Sequence, residues 1–234
     1  MKKTNYVVLA AVFISFLALG MPDGAFGVAW PSIRYDMGLG LDRAFILVVT
    51  HSIFYAISGW QMGRLAKALK LPNVNMLGLV MLIIGVAGFA ASPNLYFLVL
   101  TTIILGTGMG FVDAGLNAYA AKYFESRHMN WLHCFWGLGG SISPIIMSQM
   151  IIFAGWRTGY VSIMALQGIM AVFVLFTLLK GFWVMMPEKA QEEAAVATGK
   201  KFLSQKNILT QFFVWTLYII MEEIWDFGSI CYLI

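Results

Sequence analysis

Long blocks of apolar residues dominate this chain, and short polar stretches separate them. The blocks lack the 3.6-residue alternation of apolar and polar positions that marks a half-buried helix of a soluble protein. About 20 apolar residues suffice to cross the hydrocarbon core of a bilayer as a helix. The pattern therefore predicts seven membrane-spanning helices, over Tyr6–Ile33, Arg43–Ala66, Asn75–Ala91, Leu95–Tyr123, Trp131–Phe153, Thr158–Met185 and Ile208–Ile234.

Composition and charge indicate an all-α polytopic membrane protein. Hydrophobic residues make up 60% and charged residues 11% of the 234 positions, whereas a soluble domain carries about 25% charged residues. The net charge of +4 does not call for nucleic acid, because it follows from topology. With a cytoplasmic N-terminus, only Arg34, Arg43 and Arg157 of the 15 Lys and Arg residues lie outside. We therefore expect an integral protein of the cell (inner) membrane with its N-terminus in the cytoplasm.

The connection between the sixth and seventh predicted helices differs from the others, because it is longer, polar and mixed in charge. This difference predicts a six-helix transmembrane bundle over residues 1–186, a cytoplasmic linker over 187–207 and a seventh helix over 208–234. The last helix ends without the polar anchors that usually flank a membrane span. We therefore expect a missing C-terminal half, supplied in cis or as a partner.

Two aspartates, Asp23 and Asp113, lie inside the apolar blocks. A carboxylate at the centre of a membrane helix costs about 2.5–3.5 kcal/mol, and such residues mark ion, proton or substrate pathways. Asp23 follows Pro22, which removes the helical hydrogen bond to the carbonyl of Ala18 and predicts a kinked or broken helix. A solute or proton site at this break is the favoured interpretation, and a carboxylate reaching toward interfacial water is the alternative.

Asp113 and Asn117 are four residues apart and share one face of the fourth predicted helix, together with Gly106 and Gly110. A face of small residues lets two helices approach closely. Both polar side chains are expected to point into the bundle. They form either a functional site or a hydrogen-bonded pair that only holds helices together.

Other polar residues could serve the same pathway. His51 and Tyr55, four apart on the second helix, could hydrogen-bond a sugar or a proton-carrying group, or merely pack between helices. His133 begins the predicted fifth helix near the cytoplasmic interface, where its imidazole could join a proton relay or cap the helix. Glu222 and Glu223 in the seventh predicted helix could line a polar path.

Aromatic residues near the two acids could stack on a ring-shaped solute, namely Trp30, Tyr119 and Trp136. Packing and interfacial belts are the commoner roles of aromatic residues in membrane proteins. The chain carries no Cys/His metal spacing, no phosphate-binding glycine loop followed by Lys and Ser or Thr, and no G-x-S-x-G elbow. We therefore predict no enzyme and no cofactor. The expected partners are a small solute, protons and the lipid bilayer, but not nucleic acid.

The connection after the second helix resembles a signature of the major facilitator superfamily. Residues 59–67 read Gly-Trp-Gln-Met-Gly-Arg-Leu-Ala-Lys, similar to the pattern G-x-x-x-D-R-x-G-R/K of that superfamily. Gly63 replaces the usual Asp and Ala66 the usual Gly, which weakens the charge relay that the signature supports in many members.

Further residues resemble the fucose-permease-like group of that superfamily. Residues 132–144 are similar to the fifth helix of these members, and residues 155–157 to the segment before their sixth helix. An acid in the first helix and an acid-x-x-x-Asn motif in the fourth fit the fucose:proton symporters. The resemblance implies proton coupling by Asp113 and sugar binding by Asp23, and Asn117 matches the Asn of the motif.

The resemblance implies a six-helix half bundle, built as an inverted 3+3 repeat, plus one further helix. It favours a proton-coupled secondary transporter of a small polar solute, such as a sugar, that works by alternating access. Two alternatives remain at this stage. One is a proton/drug efflux antiporter, and the other is a truncated, non-transporting half of a major facilitator protein.

Overall fold

The computed structural model describes residues 5–183, which form six α-helices and no strands. All six helices are long and apolar enough to cross a membrane. The described residues belong to one compact unit that ends at Trp183. The predicted linker, the seventh helix, Glu222 and Glu223 lie outside the described residues. The helices are α1 (Tyr6–Asp36), α2 (Arg43–Leu69), α3 (Leu71–Ala91), α4 (Leu95–Tyr123), α5 (Ser126–Ala154) and α6 (Trp156–Leu179).

The helix ends differ from the predicted ends where polar residues form the first or last turn. Helix α5 begins five residues before the predicted Trp131, because Glu125 and His128 form a reciprocal cap of its first turn. Helix α6 ends before the predicted Met185, and Gly181 follows its end with a φ of 66° that favours glycine. Hydrophobic blocks locate the part of a helix that meets lipid, and they miss such polar turns.

Helix α1 runs unbroken through Pro22 and Pro31, so the predicted break beside Asp23 is wrong. The carbonyl of Ala18, which loses its helical donor to Pro22, accepts a hydrogen bond from Nε2 of Gln167 on α6 at 3.0 Å. Gln167 is only 1% exposed. A buried amide from a neighbouring helix therefore replaces the missing donor, and the helix continues past the proline.

We predict that Gln167→Leu destabilises the bundle by about 1–3 kcal/mol, because it leaves the Ala18 carbonyl buried without a donor. Thermal unfolding in detergent measures the loss. Gln149→Leu, at an exposed position of α5, is the matched control and should change stability little. In a Pro22→Ala background, which restores the backbone donor, Gln167→Leu should cost less. An equal cost in both backgrounds would contradict this role of Gln167.

The contacts of α1, α2 and α3 correspond to those of α4, α5 and α6. Helix α1 packs along α5, α2 packs along α4, and α3 and α6 contact each other. A Cβ placed on Gly20 of α1 would collide with the backbone carbonyl of Trp136, and one on Gly110 of α4 would collide with that of Tyr55. In each case an aspartate follows the glycine by three residues. The packing therefore agrees with the predicted inverted 3+3 repeat.

A side chain of α6 ties one end of the bundle together. Arg157 donates from Nη1 to Oδ2 of Asp36 at 2.5 Å and from Nη2 to the carbonyl of Ser92 at 3.1 Å. The indole of Trp156 donates to the same Asp36 oxygen at 3.2 Å, and the guanidinium lies 4.2 Å from the centre of the indole ring. These contacts fix the last turns of α1 and α3 against the first turn of α6.

Candidate functional site

Asp113 on α4 accepts a hydrogen bond at each of its carboxylate oxygens. The hydroxyl of Tyr55, on α2, donates to Oδ2 at 2.8 Å, and the amide of Asn117 donates to Oδ1 at 2.8 Å. All three side chains are partly buried. Two donors offset part of the cost of placing a carboxylate among apolar helices. The structure thus brings together the predicted pair on α4 and adds a third member from α2.

The glycines of α4 explain why Tyr55 reaches Asp113. A Cβ on Gly110 would collide with the carbonyl of Tyr55 and the hydroxyl of Ser58, and one on Gly106 would lie 2.6 Å from the carbonyl of His51. The two helix backbones therefore touch along this face, as a stripe of small residues permits. Close contact one turn away sets the phenol of Tyr55 beside the carboxylate of Asp113.

Helices α1 and α5 bring two further ionisable groups to the same region. Asp23 on α1 is exposed and lies close enough to Tyr55 for an electrostatic interaction. His133 on α5 is exposed and interacts electrostatically with Asp113. His133 lies two turns inside α5, not in its first turn as predicted, because the helix begins at Ser126. Four helices thus contribute Asp23, Tyr55, Asp113 and His133 to one polar region, which we call the polar cluster.

His51 lies next to this cluster but is engaged elsewhere. Its Nε2 is 3.2 Å from the sulfur of Met109 on α4, and its ring centre is 5.9 Å from that of Tyr55. Within residues 5–183, no three His, Cys, Asp or Glu side chains come together in a set that could hold a metal ion. The observed contact of His51 fits packing between α2 and α4.

The three predicted aromatic contacts have different surroundings. Trp136 is partly exposed, and it lies on α5 beside Gly20 of α1. Trp30 is completely buried against Phe26. Tyr119 is also buried, in an aromatic group with Tyr123 and Trp183, about 9 Å further along α4 than Asp113. Trp30 and Tyr119 are therefore buried in this structure and Trp136 is partly exposed, and a solute contact by each of the three stays a prediction.

Tyr55 is the member of the cluster whose partner the sequence did not reveal. The sequence showed only that Tyr55 lies one turn from His51 on the second helix, and it did not show which helices pack against that helix. The glycine spacing of α4 was the only hint in the sequence, because it indicates that another helix packs closely against this face. It does not indicate which helix, and Tyr55 could be paired with Asp113 only once α2 was known to pack against α4.

Comparison with known proteins places these features in a family. The sequence matches the profile of the Major Facilitator Superfamily over residues 8–229. The probable L-galactonate transporter of Escherichia coli (strain K12) is 21% identical over 215 residues, which cover 88% of this chain and 45% of that protein. The glucose/mannose transporter GlcP of Bacillus subtilis (strain 168) is 24% identical over 149 residues, covering 61% of this chain and 35% of GlcP.

A third relative is the probable sulfoacetate transporter SauU of Cupriavidus necator, 27% identical over 175 residues that cover 68% of this chain and 38% of SauU. The chain thus spans less than half the length of the curated relatives it matches. Among solved structures, the peptide transporter POT in complex with alafosfalin superposes with a TM-score of 0.64 at 17% identity. That match covers 93% of this chain and 50% of POT, and it concerns the fold alone. This chain therefore belongs to the Major Facilitator Superfamily, as an integral membrane protein of a family of transporters, not of enzymes.

Proposed function

We propose that this chain takes part in a proton-coupled secondary transporter of a small polar solute, and that the solute is a neutral sugar. The observation that carries the proposal is Asp113, a carboxylate inside a membrane helix bundle with a donor on each oxygen. Ionisable groups at such positions serve proton relays and substrate paths. The named relatives are transporters of glucose/mannose, L-galactonate and sulfoacetate, which supports a small polar solute.

The charges of the polar cluster favour a neutral sugar over an organic anion. Asp23 is exposed at the cluster, and an ionised carboxylate offers acceptor oxygens but no donor. Sugar hydroxyls can donate to such oxygens. The carboxylate or sulfonate of an organic anion would be repelled by Asp23, and by Asp113 before it is protonated. Asn117 and the partly exposed Trp136 would complete the contacts on this side of the solute.

The proposed cycle uses alternating access around this site. A proton from the outer side neutralises Asp113, the solute binds, and the loaded bundle turns to face the cytoplasm. Release of the proton and solute there allows the empty protein to return. Sites of this kind lie near the bilayer midplane between two halves that rock against each other. The second half is supplied in cis or as a partner under this proposal, and the N-terminus lies in the cytoplasm.

Uptake into vesicles of reconstituted protein, with the outside more acidic than the inside, tests this function. The solutes are glucose, mannose, L-galactonate and sulfoacetate, each labelled. We expect a sugar to accumulate above its external concentration and a protonophore to abolish the accumulation. Uptake that ignores the proton gradient would overturn proton coupling, and accumulation of the two anions alone would overturn the choice of a neutral sugar.

The same assay tests the role of Asp23. Asp23→Asn removes a charged acceptor, and hydrogen bonds to charged groups contribute about 1.5–3 kcal/mol. We therefore expect the apparent affinity for the accumulated sugar to fall about tenfold or more. Asp42→Asn, at the exposed start of α2, is the matched control and should leave affinity unchanged. An unchanged affinity in Asp23→Asn would leave Asp23 without a solute contact.

A further inference from the structure

We propose that the hydroxyl of Tyr55 links proton binding to solute binding by exchanging its hydrogen-bond partner. It donates to Asp113 while that carboxylate is ionised, and it donates to the solute once Asp113 carries a proton. The inference rests on the proposed function, in which Asp113 is the proton site. It adds a role for Tyr55, whose hydroxyl becomes available as a hydrogen-bond donor to the solute when Asp113 on α4 is protonated.

The position of Tyr55 suits this role because it interacts with both acids of the cluster. Its hydroxyl is 2.8 Å from Oδ2 of Asp113, and Asp23 interacts with it electrostatically. The phenol is only partly buried, and Asp23 is exposed. The close approach of α2 at Gly110 holds the backbone of Tyr55 against α4.

The exchange follows from the donors and acceptors available. A tyrosine hydroxyl has one hydrogen to donate and lone pairs to accept. Asn117 holds Oδ1 of Asp113 with an amide hydrogen, which can continue to donate to a neutral carboxyl. An incoming proton therefore settles on Oδ2, where the new O–H points at the Tyr55 oxygen. That oxygen becomes an acceptor, and its own hydrogen turns away from Asp113. One proton is added, and no other covalent bond changes.

The surrounding helices contribute further titratable groups. Asp23 from α1 and His133 from α5 interact electrostatically with this pair, and His51 from α2 lies beside Tyr55. Helix α3, which also packs against α4, carries no ionisable side chain between Leu71 and Ala91. Since Nε2 of His51 is engaged with Met109, the freed hydroxyl hydrogen of Tyr55 turns toward the side of Asp23 and the solute.

The consequence is an order of binding. Before protonation the Tyr55 hydroxyl donates its hydrogen to Asp113 and cannot donate it to the solute. After protonation it is available, so solute affinity rises as the outer side becomes more acidic. By linkage, bound solute raises the proton affinity of Asp113 by the same factor.

A solute-free experiment tests the exchange directly. Infrared difference spectra of the reconstituted protein are recorded between neutral and acidic pH. The carboxyl band reports protonation of an acid, and the C–O band of tyrosine reports whether its hydroxyl donates or accepts a hydrogen bond. In the unmodified protein we expect both bands to change together. Tyr55→Phe should lose the tyrosine change and keep a carboxyl change.

Tyr160→Phe is the matched control, because Tyr160 is a buried tyrosine whose hydroxyl has no hydrogen-bond partner within residues 5–183. It should keep both changes. A tyrosine change that survives in Tyr55→Phe would overturn the inference. A carboxyl change as large in Asp113→Asn as in the unmodified protein would instead overturn Asp113 as the proton site, so the two failures are distinguishable.

Sugar uptake supplies the functional readout. In the unmodified protein and in Tyr160→Phe, the KM for the accumulated sugar should fall on acidification. In Tyr55→Phe it should stay at one value across the same pH range, about three- to tenfold above the acidic value of the unmodified protein, as expected for one lost neutral hydrogen bond. A KM in Tyr55→Phe that falls on acidification as in the control would contradict the link.

Discussion

Asp113→Asn is expected to abolish accumulation of the sugar against its gradient while allowing exchange of sugar across the membrane. The amide has nearly the shape of the carboxyl group, and it keeps the contact with α2 that positions Tyr55. It cannot take up a proton on one side and release it on the other. The protein can still turn with solute bound, so exchange persists, but the proton gradient no longer drives net transport.

Vesicles loaded with unlabelled sugar measure exchange, and vesicles with an imposed proton gradient measure accumulation. Asp42→Asn, which removes an exposed acid of the same type, should accumulate sugar normally. Full accumulation by Asp113→Asn would show that the coupling proton binds elsewhere. Loss of exchange together with accumulation would point to a structural role, which thermal unfolding of the variant would confirm.

Gly139→Ala is expected to destabilise the bundle strongly, by about 1–3 kcal/mol, as overpacked sites do. A Cβ on Gly139 of α5 would collide with the backbone carbonyl of Leu17 and lie 3.3 Å from the amide nitrogen of Met21, both on α1. Backbone atoms cannot rotate aside, so the two helices must separate. That movement would also displace Asp23, which is two residues beyond Met21.

Gly137→Ala provides the control on the same helix, two residues away. A Cβ there meets nothing within 4 Å, and alanine is favoured over glycine inside a helix by about 0.5–1 kcal/mol. The unfolding temperature of Gly137→Ala should therefore equal or exceed that of the unmodified protein, and that of Gly139→Ala should be well below it. Equal stability of the two variants would contradict the close contact of α1 with α5.

The helices and the two acids were accessible to sequence reasoning for a clear physical reason. Lipid contact requires long apolar blocks, so the six described helices appear in the sequence as such blocks. Charge is expensive among them, so Asp23 and Asp113 stand out against their neighbours. The glycines of α4 also predicted a close helix contact, which the structure shows at Gly106 and Gly110.

The partners across helices were not accessible, because helix pairing depends on the three-dimensional arrangement. The donor for the Ala18 carbonyl comes from Gln167, which is 149 positions away, so the sequence alone suggested a break at Pro22. The same limit applied to Tyr55 and Asp113. Trp30 and Tyr119 are close in sequence to an acid, but that closeness does not determine where each ring is buried.

If Asp113 carries a proton together with the solute, a solute gradient should by itself drive protons across the membrane. Vesicles of reconstituted protein enclose a pH-sensitive dye, start with equal pH on both sides, and receive the sugar outside. We expect the interior to acidify with the unmodified protein and with Asp42→Asn, but not with Asp113→Asn. Sugar entry without acidification in the unmodified protein, or the same acidification in Asp113→Asn, would rule out Asp113 as the carrier of the coupled proton.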